Sequence, residues 1–98
     1  MGDIVVIDYD FDERMYVDYI GNDIDYKIIV RNIFNTLYKC YENKEIEELV
    51  LTLNETGAFL AINIKNKKIR AHIHNFIEMY VKYMEEFVTD EKKSNQHD

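Results

Sequence analysis

The sequence predicts one small α+β domain with the element order ββαβββα, in which an antiparallel sheet carries two helices on one face. Apolar residues alternate with polar ones in several short segments, which is typical of half-buried strands. Elsewhere they recur every three or four residues, which is typical of amphipathic helices. The length of 98 residues suits one domain with a two-layer core, and we assign residues 1–90 to it and residues 91–98 to a polar C-terminal tail.

The first two predicted strands form a hairpin. Residues 3–9 are rich in the β-branched and apolar residues that favour strands. Residues 14–20 alternate, so that Met15, Val17 and Tyr19 share one side of the second strand. The polar residues 11–13 separate the two segments and form the connection.

A helix is predicted over residues 24–42. Asp23 or Asp25 can cap it by accepting the unpaired amide protons of its first turn. Cys40 lies near the apolar face of this helix, so we expect a packed thiol. The other apolar residues at helical spacing are Tyr26, Ile29, Val30, Ile33, Phe34, Leu37 and Tyr41.

Three further strands form a predicted meander. Their apolar positions are Leu49, Leu51 and Leu53, then Ala58, Leu60, Ile62 and Ile64, then Ile69, Ala71 and Ile73. A turn at residues 54–57 pairs Leu51 with Leu60, and a turn at residues 66–67 pairs Ile62 with Ala71. Both turns place the aliphatic side chains on one face, whereas a slip by one residue would turn them all outward.

The last predicted helix begins after the meander. Asn75 is expected to cap it, with Glu78 at the capping-box position. Its apolar stripe consists of Ile77, Tyr80, Val81, Met84, Phe87 and Val88. We expect both helices to cover the aliphatic face of the sheet.

The opposite face of the predicted meander is half apolar. In the predicted register its side chains form rows across the sheet, which are Thr52, Phe59 and His74, then Val50, Ala61 and His72, then Glu48, Asn63 and Arg70. All of these except Glu48 and Asn63 form a candidate interface. Such a face can be a partly apolar solvated surface, a homodimer interface, a surface covered by the first hairpin, or a binding site.

The acidic residues are concentrated near the N-terminus. The chain has 19 acidic and 12 basic residues and a formal net charge of −7. The first 26 residues hold eight of the acids and only one base, Arg14, so the rest of the chain is neutral. This charge repels nucleic acid and anionic membranes, and it favours a basic protein as the partner.

The candidate partner-binding surface is this acidic segment with its tyrosines. Its residues are Asp8, Tyr9, Asp10, Asp12, Glu13, Tyr16, Asp18, Asp23 and Asp25. Carboxylates along an extended segment can take the place of phosphates, and tyrosines can anchor an interface. The alternative is an acidic hairpin tip that is simply solvated.

No pattern predicts an active site, so we expect no enzyme activity, no cofactor and no bound metal. Residues 8–12 resemble the start of a calcium-binding loop, but Glu13 stands where that loop needs glycine and Tyr19 where it needs glutamate. His72 and His74 have the spacing of two metal ligands on one strand, but a zinc site needs a third or fourth ligand.

In size, charge asymmetry and lack of catalytic residues, the chain resembles, as a class, small acidic inhibitors such as immunity proteins for nuclease toxins and phage anti-CRISPR proteins. This implies a protein that binds and inhibits a basic, nucleic-acid-handling protein, with the first hairpin mimicking nucleic acid. The alternative is a homodimeric regulatory module, such as an antitoxin or adaptor, that associates through the outward sheet face. A third hypothesis is a small enzyme or metal binder that uses His72 and His74.

The composition also predicts the cellular location. A single cysteine, Cys40, excludes an internal disulfide and suits a reducing compartment. The N-terminal residues do not have the pattern of a signal peptide, and no apolar run approaches the roughly 20 residues that span a bilayer. We therefore expect a cytoplasmic protein.

Overall fold

The computed structural model describes residues 3–96, with the side chains of residues 3–88. The elements along the chain are β1 (Val5–Tyr9), β2 (Met15–Ile20), α1 (Ile24–Glu42), β3 (Glu48–Asn54), β4 (Gly57–Asn63) and α2 (Lys67–Gln96). The strands form one antiparallel sheet in the order β1-β2-β4-β3. The predicted fold class is confirmed, because the chain is a small α+β domain with an antiparallel sheet and two helices.

Both hairpins have the predicted pairing. β1 pairs with β2 around the turn at residues 10–14. In the second hairpin Leu53 pairs with Ala58 and Leu51 with Leu60, which is the register that the alternating leucines predict. In β4 the side chains of Ala58, Leu60 and Ile62 therefore point to the face on which the aliphatic side chains are buried.

The predicted fifth strand is wrong. Ile69, Ala71 and Ile73 lie in the first turns of α2, and the edge of β4 that they were expected to occupy is paired with β2. Ile62 accordingly pairs with Met15 and not with Ala71. The spacing of the apolar residues does not distinguish the two structures, because two isoleucines four residues apart fit one face of a helix as well as one face of a strand. In the structure Ala71 is exposed and Ile73 is buried, as helical spacing requires.

The start of the last helix is corrected in the same way. The side-chain oxygen of Asn66 accepts the backbone N–H of Lys68 at 2.9 Å and of Ile69 at 3.2 Å, so Asn66 caps α2. Asn75, the predicted cap, is an exposed residue inside the helix. α2 continues to Gln96, and residues 97–98 of the predicted tail lie outside the described residues.

The first helix has the predicted bounds. Asp23 is its N-cap, and its carboxylate accepts the N–H of Asp25 at 2.9 Å. At the other end the chain turns back through Lys44, which has a φ of 66°. The N–H of Glu45 then bonds to the carbonyl of Cys40 at 2.9 Å, which satisfies a free helix-end acceptor.

The core lies between the helices and one face of the sheet, and its described residues are all apolar or tyrosine. Met15, Val17 and Leu60 are fully buried at its centre. Gly57 is required where β4 meets β2, because a Cβ at this position would overlap the carbonyl oxygen of Tyr19. No helix within the described part of the chain is long and apolar enough to cross a membrane.

Candidate functional site

The face of the sheet opposite the helices forms the candidate site, and we call it the outer face. Strand geometry turns every second side chain away from the core, and on the outer face these belong to both hairpins. They are Val6 and Asp8 on β1, Tyr16, Asp18 and Ile20 on β2, Phe59, Ala61 and Asn63 on β4, and Glu48, Val50 and Thr52 on β3. Several are apolar and exposed, with Ile20 80%, Val50 47% and Phe59 38% accessible.

Part of the predicted interface is therefore present, but β2 lies beside it in place of the predicted fifth strand. Thr52 and Phe59 are paired as expected, but the next residue in their row is Asp18 and not His74. Likewise the row of Val50 and Ala61 continues to Tyr16 and not to His72. The exchange reverses the charge of this face, because the predicted basic strand is replaced by β2.

The first strand extends the same rows and adds further acids. Asp8 pairs with Tyr16, and Val6 pairs with Asp18. A shallow groove of about 400 Å³ on this side is lined by Asp3, Ile4, Val6, Asp8, Asp18 and Ile20. The two predicted surfaces, acidic and apolar, thus become one continuous surface.

An aromatic pair lies in the middle of the outer face. The rings of Tyr16 and Phe59 stack with their centroids 5.3 Å apart and an interplanar angle of 24°. The phenol of Tyr16 donates a hydrogen bond of 2.6 Å to Asp10. This bond lowers the pKa of Asp10 and raises the pKa of Tyr16. Tyr16 is therefore held flat against its neighbour and presents a rigid aromatic surface.

The remaining acids of the predicted surface lie elsewhere. Asp12 and Glu13 belong to the turn between β1 and β2, where Glu13 contacts Arg70 of α2 at 3.2 Å. Asp23 and Asp25 lie at the start of α1, where the carboxylate of Asp23 serves as the helix cap. The structure thus brings Asp8 and Asp18 together and separates the other four from them.

Tyr9 and the two histidines are also placed differently from the prediction. Tyr9 points to the helix side of the sheet, where its hydroxyl lies 2.6 Å from Nδ1 of His74. Nε2 of His74 lies 3.1 Å from a carboxylate oxygen of Glu78. A carboxylate accepts, so Nε2 donates to Glu78, and in the neutral imidazole Nδ1 then accepts from the phenol. These bonds join β1 to α2.

Neither Tyr9 nor Cys40 is activated as a nucleophile, because the pKa of each group is raised. Partial burial raises the pKa of Tyr9, and the nearby Glu78 raises it further while Arg70 lowers it. His72 lies two residues from His74 on a helix, so their side chains diverge and do not share one face as they would on a strand. No group of three or more potential metal ligands occurs among the described residues. Burial also raises the pKa of the Cys40 thiol.

Two surfaces that depend on α2 do not follow from the sequence pattern. One is a groove between β1 and α2, which includes Val5, Val81 and Glu85. The other is a row of exposed side chains on α2, Met79, Tyr83 and Phe87, that points away from the core. Their four-residue spacing is a helical signal, but the sequence predicts Phe87 in the buried stripe, whereas its side chain is 56% exposed.

Comparison with known proteins does not add a family to this description. No protein-family model, no curated protein and no solved structure matches the chain. Function is therefore inferred from the geometry and charge of the surfaces.

Proposed function

We propose that this protein binds a basic surface of another protein through its outer face, and that it inhibits a nucleic-acid-handling protein in this way. One observation carries the proposal. The four strands contain no lysine or arginine, and their outer face presents Asp8, Asp18 and Glu48 beside exposed apolar and aromatic side chains. A binding face of this composition suits a partner that is basic at the contact.

The spacing of the carboxylates supports this interpretation. Asp8 pairs with Tyr16, so Asp18 is its diagonal neighbour on the adjacent strand. Diagonal neighbours in an antiparallel sheet lie about 7–8 Å apart. Two basic side chains of a partner, or one guanidinium between the two acids, can therefore be engaged without bending the sheet.

The aromatic pair supplies the apolar part of the contact. Tyr16 and Phe59 stack beside Asp18, and both are held by backbone pairing within the sheet. Rigid aromatic side chains lose little conformational entropy on binding and often dominate interface energies. The proposed interface thus has an aromatic centre with carboxylates around it.

A homodimeric module that associates through the same face is the second candidate. The exposed Val50, Phe59 and Ile20 favour it, because exposed apolar patches mark contacts. Self-association would also bring two copies of Asp8 and Asp18 to one interface, and like charges at a contact are unfavourable. We therefore place a basic partner first.

A double variant, Asp8→Asn with Asp18→Asn, tests the proposal by affinity capture at low and moderate salt. Asp10 is left unchanged because it holds the turn of the hairpin. The control, Glu42→Gln with Glu45→Gln, removes the same charge from exposed positions at the end of α1. We expect the outer-face variant to bind the partner about tenfold more weakly at low salt and the control to bind like wild type.

The captured protein is then purified, and its binding to DNA or RNA is measured with and without this protein. A basic nucleic-acid-binding protein that loses this binding with wild type and keeps it with the outer-face variant supports the proposal. Equal capture by both double variants, or a captured protein whose nucleic-acid binding is unchanged, contradicts it.

A further inference from the structure

A second groove lies on the other side of β1 from the outer face. Its volume is about 510 Å³, and it runs between β1 and α2. Val5, Ile7 and Val81 form its apolar part. Three glutamates of α2, Glu78, Glu85 and Glu86, line it together with two basic side chains, Lys82 and His74. The groove is thus apolar along the strand and acidic along the helix.

The strand that borders this groove has an open edge. β1 is the first strand of the sheet and pairs only with β2 among the described strands. The N–H of Asp10 bonds to the carbonyl of Arg14, and in antiparallel pairing the residues that bond to the neighbour alternate. Val6 and Asp8 therefore bond to β2, and the backbone groups of Val5 and Ile7 point away from it.

The outward N–H of Val5 already has a hydrogen-bond partner, the side chain of Glu85. The carboxylate of Glu85 accepts a hydrogen bond from the N–H of Val5, and partial burial raises the pKa of Glu85. The carboxylate thus occupies the place that a carbonyl of an added strand would take. It closes one end of the open edge, and the backbone groups of Ile7 remain available in the middle of the groove.

Charge decides which occupant suits this edge. A second copy of the chain would add its own groove glutamates to the contact, and like charges oppose that pairing. The groove glutamates would instead attract an extended segment with basic side chains. Its backbone would pair with β1, and its lysine or arginine side chains would face Glu78 and Glu86.

We propose that this groove binds an extended, basic segment of a partner protein by addition of a strand to β1. Every second side chain of the segment would point towards α2, where basic residues meet the glutamates and their aliphatic stems contact Val5 and Val81. This site is separate from the outer face and does not depend on the function proposed for it.

The probe is a blocked, fluorescent peptide of sequence Lys-Val-Lys-Val-Lys-Val-Lys, and its binding is measured by fluorescence anisotropy at low salt. A second peptide has the same sequence and charge but carries a methyl group on every internal backbone nitrogen, so it cannot donate to a strand. We expect the first peptide to bind and the N-methylated peptide to bind at least about tenfold more weakly, because its N–H groups can no longer bond to β1.

Three variants locate the site. Glu86→Lys should weaken binding of the unmethylated peptide about threefold to tenfold, and Glu45→Lys, the matched charge reversal outside the groove, should leave it near wild type. The outer-face variant Asp8→Asn with Asp18→Asn should also bind like wild type. Amide hydrogen exchange gives a readout without mutation, since the Ile7 amide should exchange about tenfold more slowly with the peptide bound.

Equal binding of the two peptides, or binding of neither, would overturn the inference. So would an outer-face variant that loses binding while Glu86→Lys keeps it. Unchanged hydrogen exchange at the Ile7 amide with the peptide bound would overturn it as well. Protection of Ile7 in the free protein that grows with protein concentration would also overturn it, because a second copy would then occupy the edge.

Discussion

At the scale of single residues, Asp10 differs from its acidic neighbours in the number of hydrogen bonds that its carboxylate accepts. Its carboxylate accepts the phenol of Tyr16 at 2.6 Å and the backbone N–H groups of Asp12 at 2.9 Å and Arg14 at 3.0 Å. The sequence predicts one more acid on a binding surface, whereas these bonds fix the turn between β1 and β2. The Tyr16 hydrogen bond is the main cause of the lowered pKa of Asp10.

Acid should therefore destabilise the protein partly through Asp10. Since its pKa is lowered in the folded state, ionised Asp10 stabilises the fold above its unfolded pKa of about 4, and this contribution is lost as the pH falls through the lower folded value. Asp10→Asn cannot titrate, so its melting temperature should fall less than that of wild type between neutral pH and pH values below about 4.

Thermal unfolding followed by circular dichroism measures this difference, and Asp12→Asn is the matched control in the same turn. Parallel curves of melting temperature against pH for wild type and Asp10→Asn would contradict the assigned role.

Glu85 contributes to the pH dependence of stability with the opposite sign. Burial raises its pKa, so its stabilising effect is lost as the pH rises. Asp10→Asn leaves that contribution unchanged.

At the scale of elements, the start of α2 distinguishes the observed fold from a five-stranded sheet. Asn66 caps the helix, and Asn75 lies exposed within it. Asn66→Ala should lower the free energy of unfolding by about 1 kcal/mol, because two amide protons of the first turn lose their acceptor. Asn75→Ala should raise it by about 0.5 kcal/mol, because alanine favours a helix interior more than asparagine does.

Urea unfolding of both variants and wild type measures these changes as shifts in midpoint. A destabilised Asn75→Ala together with a neutral Asn66→Ala would mean that the last helix begins at residue 75. That outcome would restore a fifth strand and return His72 and His74 to the sheet.

At the scale of the whole molecule, the acidic outer face sets how the protein associates. Two copies that met through this face would bring together their carboxylates as well as Val50 and Phe59. We expect a monomer by light scattering at low salt and at high salt, and no change of mass in Val50→Lys with Phe59→Lys. A dimer that forms at high salt, where repulsion is screened, and that this variant abolishes would instead support the homodimeric module.

Local sequence patterns determined much of the fold. They predicted the bounds of α1, both hairpins and the register between β3 and β4, because each depends on residues that are close along the chain. They also showed that the acids are concentrated in the first 26 residues. The acidic and aromatic residues of the candidate site were therefore identified from the sequence, including Asp8, Tyr16 and Asp18.

Only the tertiary structure decided which strand pairs with the free edge of β4. That pairing joins residues far apart in the chain, and the apolar residues between 69 and 73 satisfy helical and strand spacing alike. With β2 in this position, Phe59 lies beside Asp18 and not beside His74. The same choice leaves residues 67–96 to form one long helix, and the packing of that helix against β1 creates the second groove.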